Sequence, residues 1–162
     1  MREERHPARA ALLAKKYHAG QTDKQGRDYF EFHLKPVAVM AKVLAEGMDW
    51  TENHIAHVES LAYLHDLLED TEATPENLTS WGYSSLFVDR LMMLTHNSGE
   101  PYIRYVYTLA KYGPFHVVLV KLADNLVNST SLGGLDDETR LRLESKYARA
   151  RVYLMDSLRR MA

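Results

Sequence analysis

Apolar residues along this 162-residue chain recur at three- and four-residue intervals almost from end to end, the period of amphipathic helices. Pro7 to Ala19 reads as a first helix, opened by a proline and closed by Gly20. A polar loop follows from Gln21 to Asp28, whose glycine and charges suit contact with a ligand. Pro36 to Ala45 is a second helix, stopped by Gly47, and Thr51 can cap a third. The third carries apolar positions Ile55, Val58, Leu61, Ala62 and Leu68 into the stretch 61–71. Thr74-Pro75 starts a short helix that Gly82 ends; Ser84 or Ser85 begins the next, through Met93, and Glu100-Pro101 another, through Tyr112. Gly113-Pro114 breaks the pattern ahead of the apolar run 117–126. Gly133-Gly134 precedes a long final helix, Asp137 to about Arg160, with Leu141, Tyr147, Leu154 and Leu158 facing the core. With no period-two alternation, repeat or low-complexity linker, the pattern predicts an all-α fold, one helical bundle over residues 1–162.

The stretch Leu61 to Thr71 sets His65, Asp66, Glu69 and Asp70 into an otherwise apolar helix. At about 3.6 residues per turn, His65 and Glu69 share one strip and Asp66 and Asp70 the strip beside it. A solvated helix end would account for the acids alone, but two further groups supply the missing half of a site. His33 opens the apolar run 33–40, and Asp124 interrupts the run 117–126. A carboxylate inside an apolar helix is costly unless it is paired or holds a cation. His33, His65, Asp66 and Asp124 together offer two imidazoles and two carboxylates, a set suited to a divalent first-row ion such as Mn²⁺, Fe²⁺ or Zn²⁺. The chain has no cysteine, which excludes a thiolate site.

The order His33, His65-Asp66, Asp124 resembles the HD phosphohydrolase superfamily, and Glu69-Asp70-Thr71 resembles its RelA/SpoT-type branch, which includes small alarmone hydrolases. His18 to Tyr29 is similar to that branch's His-x-Gly-Gln-x-Arg-Lys-x-Gly-x-Pro-Tyr, Leu94-Thr95-His96 to its Leu-Thr-x segment, and Lys121 to Asn128 to its Lys-Leu-Ala-Asp-Arg-Leu-x-Asn. The resemblance spans about residues 8–132, leaving 137–160 as a packing helix. It implies an HD-type bundle and a metal-dependent phosphohydrolase, with Mn²⁺ the first expectation for its one divalent ion. Water activated by the ion would attack the 3′-pyrophosphate of (p)ppGpp, with Glu69 and Asp70 orienting that water and moving its protons. Lys24 falls on the motif's phosphate-binding lysine. Tyr29 lies beside the loop and ahead of His33, Asn128 one turn after Asp124 would meet the ribose or 3′ oxygen, and Ser131 the base or sugar.

Three departures bear on the substrate. Asp23 stands at the motif's first arginine, and Asn125 and Thr130 at positions where arginine is common. A lone Asp23 carboxylate should repel an anionic nucleotide, unless it pairs with Lys24 or Arg27 or accepts from a guanine edge. Two alternatives therefore stay open: an HD phosphatase acting on a dNMP or a phosphorylated nucleotide cofactor, and a metal-binding regulatory module without turnover. His54 and His57 lie more than two turns before His65 and read as surface or partly buried groups; His96 reads equally as a helix-end cap or a site residue.

Composition narrows the rest. The formal net charge of −2 gives no basic field for nucleic acid. No run approaches the length of a membrane span, and Met1 to His6 lacks a signal peptide's apolar stretch. A nucleotide partner, no membrane and a cytoplasmic setting are the expectations, the last compatible with the absent cysteines. Self-association is neither indicated nor excluded.

Overall fold

A computed structural model describes residues 6–162; the Met1 to Arg5 part of the segment read above for a signal peptide lies outside them. Among the described residues the fold is all-α, in the order α1 (Pro7–Tyr17), α2 (Lys35–Glu46), α3 (Glu52–Leu64), α4 (Leu67–Asp70), α5 (Pro75–Ser80), α6 (Ser85–Leu94), α7 (Tyr102–Tyr112), α8 (Phe115–Thr130) and α9 (Asp137–Met161). The extended pairing in this region is one antiparallel bridge, Thr22 to Asp28, which closes the neck of the polar loop.

Local chemistry explains most boundaries. Thr74 accepts from the Asn77 backbone while the Asn77 side chain accepts from Thr74, a reciprocal cap at the start of α5. Ser84 caps α6 by accepting from Phe87, and Asp136 caps α9 by accepting from Thr139. Gly20 and Gly82, at φ 82° and 92°, take the left-handed conformation beyond α1 and α5. Helix α1 ends at Tyr17, two residues short of the expected Ala19.

Two irregularities depart from the expected helices, and both lie at the site. A widened π turn, Phe30–Leu34, runs directly into α2, with the Lys35 amide donating to Phe30 O. Pro36 has no N–H for the Phe32 carbonyl and its ring would strike that oxygen, so the turn expands just ahead of it. The stretch 61–71 is not one helix: α3 ends at Leu64, and Asp66, at φ −99° and ψ 0°, separates it from α4. The Asp66 carbonyl still accepts from Glu69 and Asp70, so the turn restarts at once.

Helix α8 is the centre of the bundle and packs against α2, α3, α6, α7 and α9. Its residues from Val117 to Asn125 are all buried. Leu34, Leu61, Leu64, Leu67, Phe87 and Leu119 are among the largest fully enclosed side chains around it, each contributing about 1.5–3 kcal/mol of apolar burial. On α9, Tyr147, Leu154 and Leu158 reach the core as expected, but Leu141 does not: it is 61% exposed, and Leu143 is the buried residue of that turn.

Candidate active site

The π turn, the α3–α4 break and the middle of α8 bring His33, His65, Asp66 and Asp124 together. His33 Nε2 lies 3.3 Å from Asp66 Oδ2 and 3.5 Å from Asp124 Oδ1; His65 Nε2 lies 2.9 Å and 3.7 Å from the same two oxygens. His33, His65 and Asp124 are buried, and the Asp66 side chain is 14% exposed. His65 Nδ1 is 2.7 Å from Ala62 O, which can only accept, so Nδ1 carries a proton and Nε2 is the ring nitrogen that faces the carboxylates.

That Nε2 is a buried atom with no hydrogen-bond partner: the Asp66 oxygen is near but not aligned as an acceptor. Two imidazole nitrogens and two carboxylate oxygens that converge without bonding one another fit a cation between them. His33, His65 and Asp66 bring ligand-type atoms within 4.8 Å of one another, and Asp124 Oδ1 faces both imidazoles across the same space.

The electrostatics agree. Burial opposes charge on His65, but Asp66 and Asp124 outweigh it and raise the imidazole to about 10, so the site favours positive charge at Nε2, which a cation would supply in place of a proton. Burial likewise opposes ionisation of Asp66, yet the two imidazoles hold it well below the usual carboxylate range. At Asp124 the Lys121 ammonium, 2.8 Å from Oδ2, adds to the histidines and overcomes burial to keep it ionised. Asn128, one turn further along α8, donates to Asp124 Oδ1 at 2.6 Å.

Tyr29 proves to be a support as well as a pocket residue. Its hydroxyl donates to Asp66 Oδ2 at 2.7 Å, and its ring lies 4.8 Å from the His33 ring and 5.5 Å from His18. Buried His18 meets Gln21 Oε1 at 2.7 Å, and Gln21 donates to Asp70 O at 2.8 Å, so the loop's first residues brace α4.

Nine of the ten expected site residues line one pocket of about 300 Å³, with Asp23, Phe32, His96, Tyr102, Lys121, Lys146 and Tyr147 among the others; the tenth, His65, is buried outside that lining. Glu69 and Asp70 are exposed at its edge. Partial enclosure and the nearby Asp66 charge raise both above the usual range, against a hydrogen bond from the His96 amide to Glu69 Oε2 at 2.8 Å. His96 therefore contributes its backbone to the site, while its ring Nε2 lies 2.7 Å from Glu100 O.

The loop corrects one expectation. Asp23 is not a lone anion: its carboxylate accepts from the Gln25 and Arg27 amides and from Arg27 Nε and Nη2 at 2.7–2.9 Å. The pair is neutral where repulsion was expected, and it ties the loop across its neck. Asn125 and Thr130 lie outside the pocket lining. Asn125 is buried, donating to Tyr147 O and accepting from Arg151 Nε, so α9 brings a guanidinium to that position. His54 is exposed and His57 half-buried, away from the pocket. The sequence reading missed Lys146, Tyr102 and Tyr147 as pocket residues. Lys146 and Tyr147 lie on a helix read for packing, and nothing in its period marks a side chain that reaches a site on another helix.

An all-helical bundle with a histidine–aspartate constellation drawn from three segments far apart in the chain defines an HD-type domain. Relatives agree with that class and narrow it. No protein-family model matches the chain. It is 31% identical over 140 residues to a guanosine-3′,5′-bis(diphosphate) 3′-pyrophosphohydrolase of Vibrio cholerae, covering 82% of this chain and 19% of that protein. It is 32% identical over 144 residues to the bifunctional (p)ppGpp synthase/hydrolase SpoT of Escherichia coli K12, with 83% and 19% covered. The chain thus spans about a fifth of the length of these curated relatives. A solved structure of a metazoan ortholog of SpoT, described as hydrolysing ppGpp and playing a role in starvation responses, shares the fold at TM-score 0.64 and 21% identity, covering 96% of this chain and 95% of that one. The chain belongs to the RelA/SpoT branch of the HD-domain hydrolases. No helix among the described residues is long and apolar enough to cross a membrane.

Proposed function

We propose that this chain is a metal-dependent phosphohydrolase acting on the 3′-pyrophosphate of a guanosine nucleotide of the (p)ppGpp type, in the cytoplasm. The observation that carries the reading is the unpartnered, buried Nε2 of His65 facing the Asp66 and Asp124 carboxylates, with two acids of raised pKa on the next turn. His33, His65, Asp66 and Asp124 would hold one divalent ion, Mn²⁺ in the first instance. Such an ion, when bound, draws the pKa of water from 15.7 towards ~7 and neutralises phosphate charge.

The chain's own residues account for the rest. Glu69 and Asp70 take the proton of the attacking water and return one to the departing 3′ oxygen, a task that suits carboxyls raised towards neutrality. Water adds to phosphorus, the bond to the ribose 3′ oxygen breaks, and pyrophosphate leaves with GDP or GTP as the other product. Asn128 stands beside Asp124 to meet the 3′ oxygen, Ser131 faces the sugar or base, and Lys24 a phosphate. Tyr29 holds Asp66 in register.

Purified protein with Mn²⁺ should release pyrophosphate from ppGpp in a panel that also holds dNMPs and phosphorylated dinucleotide cofactors. Turnover of a dNMP or a cofactor, with none of ppGpp, would transfer the site to another HD phosphatase. Metal binding without turnover of any of them would leave a regulatory module.

A further inference from the structure

Two ammonium groups in the pocket are left over once the metal centre and the acid pair are accounted for. Lys121 is satisfied by Asp124. Lys24 and Lys146 face the same pocket, and neither is paired with a carboxylate among the described residues. Both are held by the same aromatic wall. Lys24 Nζ donates to Tyr147 Oη at 2.7 Å, and Lys146 Nζ sits 4.0 Å from the Tyr102 ring centre and 5.7 Å from that of Tyr147. Partial burial, with Lys24, Lys121 and Arg142 close by, pushes Lys146 below the usual lysine range. Cations gathered without a counter-charge on a pocket wall raise the local concentration of anions and are relieved by binding one.

This wall and the metal centre share the pocket but are supplied by different elements. Helix α8 packs against both α2 and α9. The histidines come from the segments ahead of α2 and at the end of α3, whereas Lys146 comes from α9 and Lys24 from the 21–28 loop that reaches it.

We propose that Lys146 and Lys24 form a second anion subsite, which takes the other phosphate group of a nucleotide phosphorylated at two positions. The proposal rests on the hydrolase reading and deepens it: one phosphate arm is cleaved at the metal centre, and the 5′-polyphosphate arm is held by the lysines. A nucleoside monophosphate has a single arm and cannot fill both places, so it is excluded as the preferred substrate. Lys146 is then a specificity residue supplied from outside the motif-bearing part of the chain.

The test compares guanosine 3′,5′-bis(diphosphate) with guanosine 3′-diphosphate, which lacks the 5′ arm, on Mn²⁺-loaded protein. The wild type should show a KM at least tenfold lower for the doubly phosphorylated substrate. Lys146→Gln should collapse that preference towards unity through KM and not kcat, the mark of lost uniform binding; Lys146→Arg should retain most of it. Equal KM values in the wild type, or an unchanged preference in Lys146→Gln, would overturn the subsite. If the wild type turns over neither compound, the hydrolase reading fails by itself, and the subsite is then read from calorimetry with GDP and guanosine. GDP should bind at least tenfold tighter than guanosine, and Lys146→Gln should remove most of that difference; equal affinities in the wild type would refute it.

Discussion

Tyr29→Phe should weaken the hold on the metal ion and leave the Michaelis constant at saturating metal nearly unchanged. The substitution keeps the ring that lies 4.8 Å from His33 and deletes only the hydroxyl that donates to Asp66 Oδ2 at 2.7 Å. A hydrogen bond to a charged group is worth about 1.5–3 kcal/mol when enclosed, and the Asp66 side chain is 14% exposed, so the lower part of that range applies. About 1.4 kcal/mol is tenfold in an equilibrium constant, which matches the ~10- to 100-fold losses seen when supporting partners of metal ligands are removed. Mn²⁺ affinity would be measured by competition with a chelator, and KM for ppGpp at an Mn²⁺ concentration that saturates both proteins. A rise in KM with unaltered metal affinity would mean that the hydroxyl serves the substrate and not Asp66, and would refute the reasoning.

Four further outcomes are expected. His65→Ala and Asp124→Ala should each lower metal content, read by elemental analysis, and turnover together by at least tenfold; full metal content in both would dissolve the shared site. Glu69→Gln and Asp70→Asn should lose ~10²–10⁴ in kcat while retaining metal, and near-normal turnover would reduce the pair to structural groups. Arg27→Gln should unmask the Asp23 charge, raising KM for an anionic nucleotide by about fivefold at low salt, on the order of 1 kcal/mol for a solvated pair. Adding Asp23→Asn should restore it, and a KM indifferent to both changes and to salt would contradict the pairing. His116 is held down to about 4 by burial, Arg90 and His54. The unfolded chain then binds its proton near 6.5 and the folded chain only near 4, so this group makes stability fall as pH drops through that window. His116→Gln should flatten the fall in melting temperature between pH 6.5 and 4, and an unchanged slope would assign it elsewhere.

The helices of this chain are legible in its sequence because each is written locally: a 3.6-residue period of apolar positions, bounded by Thr74, Ser84, Asp136, Gly20 and Gly82. The chemistry of the centre is legible for a related reason. Carboxylates and imidazoles set into apolar runs are costly unless they serve a site, so His33, His65-Asp66 and Asp124 stand out where they occur. Tertiary structure decided what depends on groups far apart in the chain. The π turn before Pro36 and the break at Asp66 aim these side chains at one another, and no period announces either. Asp23 shares its charge with Arg27 only once the loop has closed. Leu141, expected in the core, is exposed and Leu143 is buried instead, because the packing of α9 selects the buried strip. Lys146 reaches the pocket only because α9 lies against α8, a relation between residues more than twenty positions apart that side-chain periodicity along one helix does not encode.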